Sequence, residues 1–273
     1  MYDWLPEVCD ETSQVVTASR RLARLLTAEY NARQVANGKT AWLTPVILAW
    51  PDWQARLFAS AGHEGLPARL NPHQGRVLWD QILRQVIDDP LVNIATLTRH
   101  ARDAWKRIHE WRVPFDECVS AASSRDQRLF AAAASRYRER LAAEYWIDEA
   151  LLGSTVTAAV EAGTLKAPER IWLAGFDRLT PETDALIAAL RERGTLVELA
   201  PAGTSTQEIR VRACEDPDAE LRTAGARARS QLDGKPEGRI GIVVSGLEQD
   251  ADRAGRLVRE GFVPGWQYAP GRH

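Results

Sequence analysis

Apolar residues recur along this chain in two rhythms, and the rhythm changes twice. The first part carries short unbroken apolar runs. Residues 14–18 (QVVTA) and 40–49 (TAWLTPVILA) have the character of strands buried on both faces of a parallel sheet. The second run is interrupted at Thr44-Pro45, because proline cannot serve a central ladder. Between them, Ser19 caps a helix with Leu22, Leu25, Leu26 and Tyr30 on its apolar face and Gly38 at its end. Trp50-Pro51-Asp52-Trp53 then turns into another helix. The chain therefore opens β-α-β-α, the start of a parallel sheet with right-handed crossovers.

From residue 67 to 163 the period becomes helical. Val77, Leu78, Ile82, Leu83 and Val86 predict one helix, and Leu97, Ala101, Trp105 and Ile108 a second. The run 127–152 predicts a long third helix on Leu129, Phe130, Ala133, Tyr137 and Leu141. A helical block of this length between strands of one sheet predicts an inserted subdomain. The sheet rhythm resumes at Ile171-Trp172-Leu173-Ala174, followed by Gly175 and then a helix start: Thr180 as N-cap, Pro181 at the first helical position, Glu182 and Asp184 in the first turn. Leu186, Ile187 and Leu190 give that helix its inner face. Further short strands are predicted at 195–199, 208–213 and 239–244, with helices from Asp216 to about residue 232 and over 249–260. The expected organisation is an α/β domain in two parts, 1–66 and 166–273, around a helical insertion at 67–165. The ending FVPGWQYAPGRH has no cap and two Pro-Gly dipeptides, and is expected to lead into further protein.

Composition changes this picture little. The chain has 273 residues, 45% hydrophobic and 26% charged, with a formal net charge of −2, so no global basicity points to nucleic acid. Arginine supplies 31 of the 35 basic residues, a skew that fits a GC-rich genome. Cys9, Cys118 and Cys214 lie far apart, and His63, His73, His100, His109 and His273 show no metal spacing, so no metal site is expected. No signal peptide and no membrane span is expected, which places the protein in the cytoplasm.

The catalytic templates fail one after another. A phosphate-binding loop needs glycines whose N–H groups wrap the phosphates and a lysine to reach the terminal ones, whereas the turn after the first strand is Thr17-Ala18-Ser19-Arg20-Arg21. Arg20 and Arg21 at a helix N-terminus either attract an anion or are simply solvated. In the strand exit Ala174-Gly175-Phe176-Asp177 the only acid is Asp177, late for a magnesium ligand. Asp148 and Glu149 are adjacent and would diverge on a helix, as a solvated face. No GxSxG and no nucleophile–base pair is present. For nucleic acid, residues 69–140 carry thirteen Arg/Lys against nine Asp/Glu, and Arg99, Arg102, Lys106, Arg107 and Arg112 cluster around Trp105 and Trp111. That cluster suits phosphates or an arginine-rich solvent face equally. Trp50 and Trp53 offer stacking faces at the crevice rim or fill the core.

Taken in order, VVTASRRLARLL, WLTPVILAWPDW, the helical insertion, RIWLAGFDRLTP and ACEDPDAELRTAGARARSQL with GRIGIVV resemble the superfamily 1 helicase core. The similarity is to AddB-like bacterial repair and recombination proteins, in particular the branch with a PD-(D/E)XK nuclease domain at its C-terminal end. The family's GF-x-x-(L/F)-TP motif corresponds to Gly175-Phe176-Asp177-Arg178-Leu179-Thr180-Pro181. Residues 216–220, followed by 240–244, resemble the segment leading into the fourth helicase motif. The resemblance implies a RecA-like, P-loop NTPase-type sheet, DNA as partner (single-stranded, or duplex ends), and a helicase or nuclease partner subunit. It also implies that Thr44 belongs to a DNA-contacting motif and that the nuclease carboxylates lie beyond His273.

Three departures from the family define the expectation. Ser19, Arg20 and Arg21 stand where the first motif's phosphate cradle should be, and Ala174-Gly175 where the acid pair should be. Ser245 stands where an arginine should follow the fourth-motif strand. The chain is thus expected to be a helicase-like module with a degenerate nucleotide pocket, no cofactor and no catalytic residue of its own. It would bind or guide DNA through Thr44, Trp50, Trp53, Arg99, Arg102, Lys106 and Arg107. The competing expectations are an active ATP-dependent helicase or nuclease subunit, and a scaffold that touches only protein.

Overall fold

A computed structural model describes residues 2, 4–8, 12–62, 65–89, 91–201 and 209–263. The chain divides into two compact units, Met1–Thr204 and Ser205–His273. The first is α/β, built on a four-stranded, all-parallel sheet. Its strands are β1 (Ser13–Thr17), β2 (Val46–Ala49), β5 (Arg170–Ala174) and β6 (Leu196–Leu199), in the order β2-β1-β5-β6. β1 and β5 are interior strands, so every side chain on them must be absorbed by one face or the other. Val15 and Ile47 point to one face, with Leu26 of α2 (Arg20–Ala36) and Leu5 of α1 (Leu5–Val8). Val16, Ile171 and Leu173 point to the other, where α3 (Trp50–Ala59), α8 (Leu152–Ala162) and α9 (Pro181–Glu192) supply Trp53, Leu57, Val156, Val160, Leu186 and Leu190. The register Val15↔Trp172 and Val16↔Leu173 keeps the two strands in phase.

The second strand is shorter than its apolar run. Only Val46–Ala49 pairs with β1, while Leu43 is 78% exposed. Pro45, immediately before, has no N–H to add to the ladder. α9 begins as its sequence demands, with the Thr180 hydroxyl accepting from the Thr183 N–H at 3.3 Å and Pro181 in the first turn.

The described residues between α3 and α8 form four helices around a separate aromatic core. They are α4 (Pro72–Val86), α5 (Ile94–Glu110), α6 (Phe115–Ser120) and α7 (Arg125–Ala143). Trp79 and Tyr137 stack at 4.3 Å, Trp105 meets Tyr137 edge-on at 5.7 Å, and Leu83 and Leu141 complete the cluster. Asn71 with Gln74 and Ser124 with Gln127 form capping boxes that start α4 and α7. The two ends of the section are tied by a parallel pair, β3 (Ala68–Arg69) with β4 (Trp146–Ile147).

The expected helix over 127–152 therefore stops at Ala143. The chain turns through Tyr145, at φ +54°, into β4 and re-forms a helix only at Leu152. In the second unit, α10 (Pro217–Asp233) and α11 (Ala251–Phe262) form a helical pair. The strands expected at 208–213 and 239–244 do not form among the described residues: 209–213 and 239–244 are irregular, with Val211 93% and Val243 98% exposed, and residue 208 lies outside the described residues. Apolar alternation makes a strand only where a neighbour accepts its ladder, and among the described residues none does. Among the described residues no helix is long and apolar enough to cross a membrane.

Candidate functional site: the crevice at the C-terminal ends of the strands

Parallel strands deliver their following loops to one edge of the sheet, where α/β folds hold ligands. The turns after β1 and β5 meet there. The Ala18 N–H donates to the Ala174 carbonyl at 3.0 Å, and the Thr17 hydroxyl donates to the Ser19 carbonyl at 2.9 Å. The Ser19 hydroxyl accepts from the Leu22 N–H at 3.2 Å, capping α2. Gly175 takes φ +75°, a conformation that favours glycine, and the Leu22 side chain fills the space beside it: a Cβ there would lie 2.5 Å from Leu22 Cδ2. Ser19, Arg20, Arg21, Ala174 and Gly175 are thus brought together, with Asp177 exposed further along the same loop.

Arg20 is already engaged. Its guanidinium donates twice to Asp52 in the first turn of α3, at 2.8 and 2.7 Å. The hydrogen bond from Arg20 holds the Asp52 carboxyl below its ordinary range, and the bond to Asp52 raises Arg20 in turn. A cleft of about 520 Å³ runs beside this pair between α2 and β2, lined by Arg24, Thr27, Asn31 and Leu48.

The helical section brings further charge to the same neighbourhood. Lys106 Nζ lies 3.7 Å from both Glu110 and Glu149, and Glu149 adds to the field on Arg20. Glu182, beside Gln54 at 3.1 Å, is pushed up by burial, against the hydrogen bond from Gln54 that favours its ionised form. Gly153 makes room for that carboxyl: a Cβ there would lie 1.0 Å from Glu182 Oε1. Among the described residues no group of three or more His, Cys, Asp or Glu is placed to hold a metal.

Several expected contacts sit elsewhere. Trp50 and Trp53 are 7% and 1% exposed, so neither presents a face to a ligand. The α3 helix starts at Trp50 itself and turns both rings into the core, where the Trp53 indole N–H donates to Gln14 Oε1 at 2.7 Å. Thr44 precedes β2, so it lies at the opposite edge of the sheet from these loops. Arg99, Lys106 and Arg107 are exposed on α5 and Arg102 is half-buried, but Lys106 is shared between two glutamates. Ser245 falls in a turn of the second unit rather than at the end of a strand.

Asp148 departs most from its expectation. It is 8% exposed, accepts from the Tyr137 hydroxyl at 3.0 Å and from the N–H groups of Ala150 and Leu151 at 3.0 and 3.1 Å. Burial raises the Asp148 carboxyl and the Tyr137 hydroxyl alike. The pair pins the chain where it turns from β4 towards α8. Comparison of the chain with models of known protein families and with curated proteins finds no match.

His109 gives this region a pH signature. Its ring lies 4.2 Å from Trp105, and burial lowers its pKa from 6.5 to about 4. The unfolded chain takes up this proton near pH 6.5 while the folded chain resists it to about pH 4. The contribution of His109 is therefore complete above pH 6.5 and is lost as pH falls through that window. Allowing for its partial exposure, the loss should be about 1–2 kcal/mol. His109→Phe should flatten this acid limb in urea unfolding measured at stepped pH.

Proposed function

We propose that this chain is a helicase-like module of a bacterial DNA repair or recombination nuclease, acting in the cytoplasm to bind or guide DNA without hydrolysing ATP. The sheet is read as RecA-like, with the β1–α2 turn in the place of a phosphate loop. One observation carries the reading: the Thr17, Ser19 and Arg20 side chains of that turn are taken up by the Ser19 carbonyl, the Leu22 N–H and Asp52, and the turn has neither glycine nor lysine. A phosphate loop needs glycines that let the backbone wrap an anion and a lysine that reaches it. The two strand exits also lack a carboxylate at the metal position, since β5 ends on Ala174.

DNA contact is assigned to the exposed cations of the helical section, with the nuclease carboxylates supplied by protein outside this chain. Magnesium–ATP is expected to show no calorimetric binding at millimolar concentration, and single-stranded DNA no stimulation of phosphate release. DNA-stimulated hydrolysis by the purified chain would make it an active motor instead.

A protein-only scaffold is the second reading. It is favoured by the pairing of Lys106 with two glutamates and by an apolar groove of about 1030 Å³ among α4, α5 and α7, lined in part by Val86, Val92, Leu97 and Phe130. Absence of salt-dependent DNA affinity would decide for it.

A further inference from the structure

The helical section carries a second groove, of about 860 Å³, between α4, the β3 strand, the C-terminal half of α7 and Trp146 of β4. Arg69, Arg136 and Arg140 line it, and among the described residues no aspartate or glutamate does. Arg140 pairs with Glu144 at 3.1 Å, whereas neither Arg69 nor Arg136 pairs with a carboxylate among the described residues. In a chain of net charge −2, two guanidinium groups without a carboxylate partner on one groove select an anionic ligand.

The rest of the lining indicates which anion. Trp146 is half-buried and lines the groove, with the Arg140 guanidinium over its ring at 5.9 Å from the centroid, so a base arriving there meets an indole and a cation layered together. The exposed amides of Gln81 and Gln85 project from α4 at intervals of about one turn, and Val77 and Leu78 form part of an apolar floor. Flat rings stack on such a surface, and their edges bond to amides. An acidic peptide would satisfy the arginines but leave the indole and the floor without a flat partner. A duplex keeps its base faces stacked inside.

We infer that this groove binds single-stranded nucleic acid, with phosphates on Arg69 and Arg136 and unpaired bases against Trp146, Gln81 and Gln85. The assignment rests on the reading that the chain binds DNA, and it moves the contact from the α5 face to the α4–α7 groove. Arg69 also contributes to the field that lowers Asp52.

The test is fluorescence anisotropy of a labelled oligo-dT with the full chain at stepped salt, alongside an abasic tract and a duplex of equal length. Two double charge reversals are compared: Arg69→Glu with Arg136→Glu in the groove, and Arg99→Glu with Arg107→Glu on α5. Both change net charge equally, so a difference between them reports location. The groove pair should weaken binding at least about ten-fold and flatten the log–log salt slope by about 1.4, with the α5 pair doing much less. Trp146→Leu should cost about ten-fold on oligo-dT and far less on the abasic tract. Circular dichroism confirms that each variant is folded, and the charge reversals at exposed positions carry the test if Trp146→Leu is not. If oligo-dT binds but the α5 pair loses as much as the groove pair, the groove is overturned while DNA binding stands. Equal affinity for the abasic tract, tighter binding of duplex, or equal displacement by polyglutamate also overturns it. No salt-dependent binding at all removes both readings.

Discussion

Trp53→Ala should destabilise the first unit by about 3–5 kcal/mol, the largest single-residue effect expected in the sheet region. The ring is 1% exposed, lies 5.4 Å from Trp50, and packs among the side chains that join α3 to α8 and α9. Its N–H also reaches Gln14 on β1, so truncation leaves both a cavity and an unmatched carbonyl. Trp53→Phe keeps much of the volume and drops the hydrogen bond, and should cost about 1–3 kcal/mol. Urea unfolding followed by far-ultraviolet circular dichroism separates the two. DNA affinity per folded molecule should be unchanged in Trp53→Phe. A loss of stability below about 1 kcal/mol in Trp53→Ala, accompanied by weaker DNA binding, would return this ring to the ligand surface.

The sheet was legible in the sequence wherever burial on both faces forced a continuous apolar run. Residues 14–18 and 171–174 predict β1 and β5 to within a residue, and Thr180-Pro181-Glu182 marks the start of α9. Punctuation explains much of the rest. Nothing between Ala143 and Ile147 is a glycine or proline, so the break after α7 left no mark, and Asp148 was expected on a solvated helix face. The helix yields there because Trp146 and Ile147 find a ladder partner in Ala68 and Arg69, some eighty residues back, a pairing that no local pattern encodes.

The site was legible mainly as an absence. The missing glycines and lysine after β1 are visible in the sequence, but the bond from Arg20 to Asp52 spans 32 residues and depends on how α2 and α3 leave adjacent strands. Likewise, the α4–α7 groove joins Arg69 of β3 to Arg136 and Arg140 of α7, some seventy residues on, whereas the more conspicuous cluster, on α5, has its lysine held by Glu110 and Glu149. Density of charge along the chain is thus a poor guide to density of unpaired charge on the surface.

In the second unit, Gly225→Ala should loosen the α10–α11 pair by about 3 kcal/mol, near the upper end of what overpacking costs. A Cβ at Gly225 would lie 2.0 Å from the Val258 carbonyl oxygen and 2.9 Å from the Phe262 nitrogen. Both are backbone atoms of α11 and cannot rotate aside. Gly261 makes the reciprocal approach, with a Cβ there 1.8 Å from the Arg222 carbonyl oxygen. Relief requires the helices to separate, which uncovers Ala228 and Leu257 and stretches the Arg222–Glu260 and Arg253–Asp218 pairs from 2.9 and 2.6 Å. Gly255 supplies the control on α11 itself, since no atom of the described residues lies within 4 Å of its added Cβ. Gly255→Ala removes only the conformational freedom of a helical glycine and should stabilise the pair by about 0.5–1 kcal/mol. Amide hydrogen exchange of α10 and α11 should therefore quicken in one variant and slow in the other. If Gly225→Ala also exchanges more slowly, the two backbones do not touch there, and the pair is held by its salt bridges and leucine contacts alone.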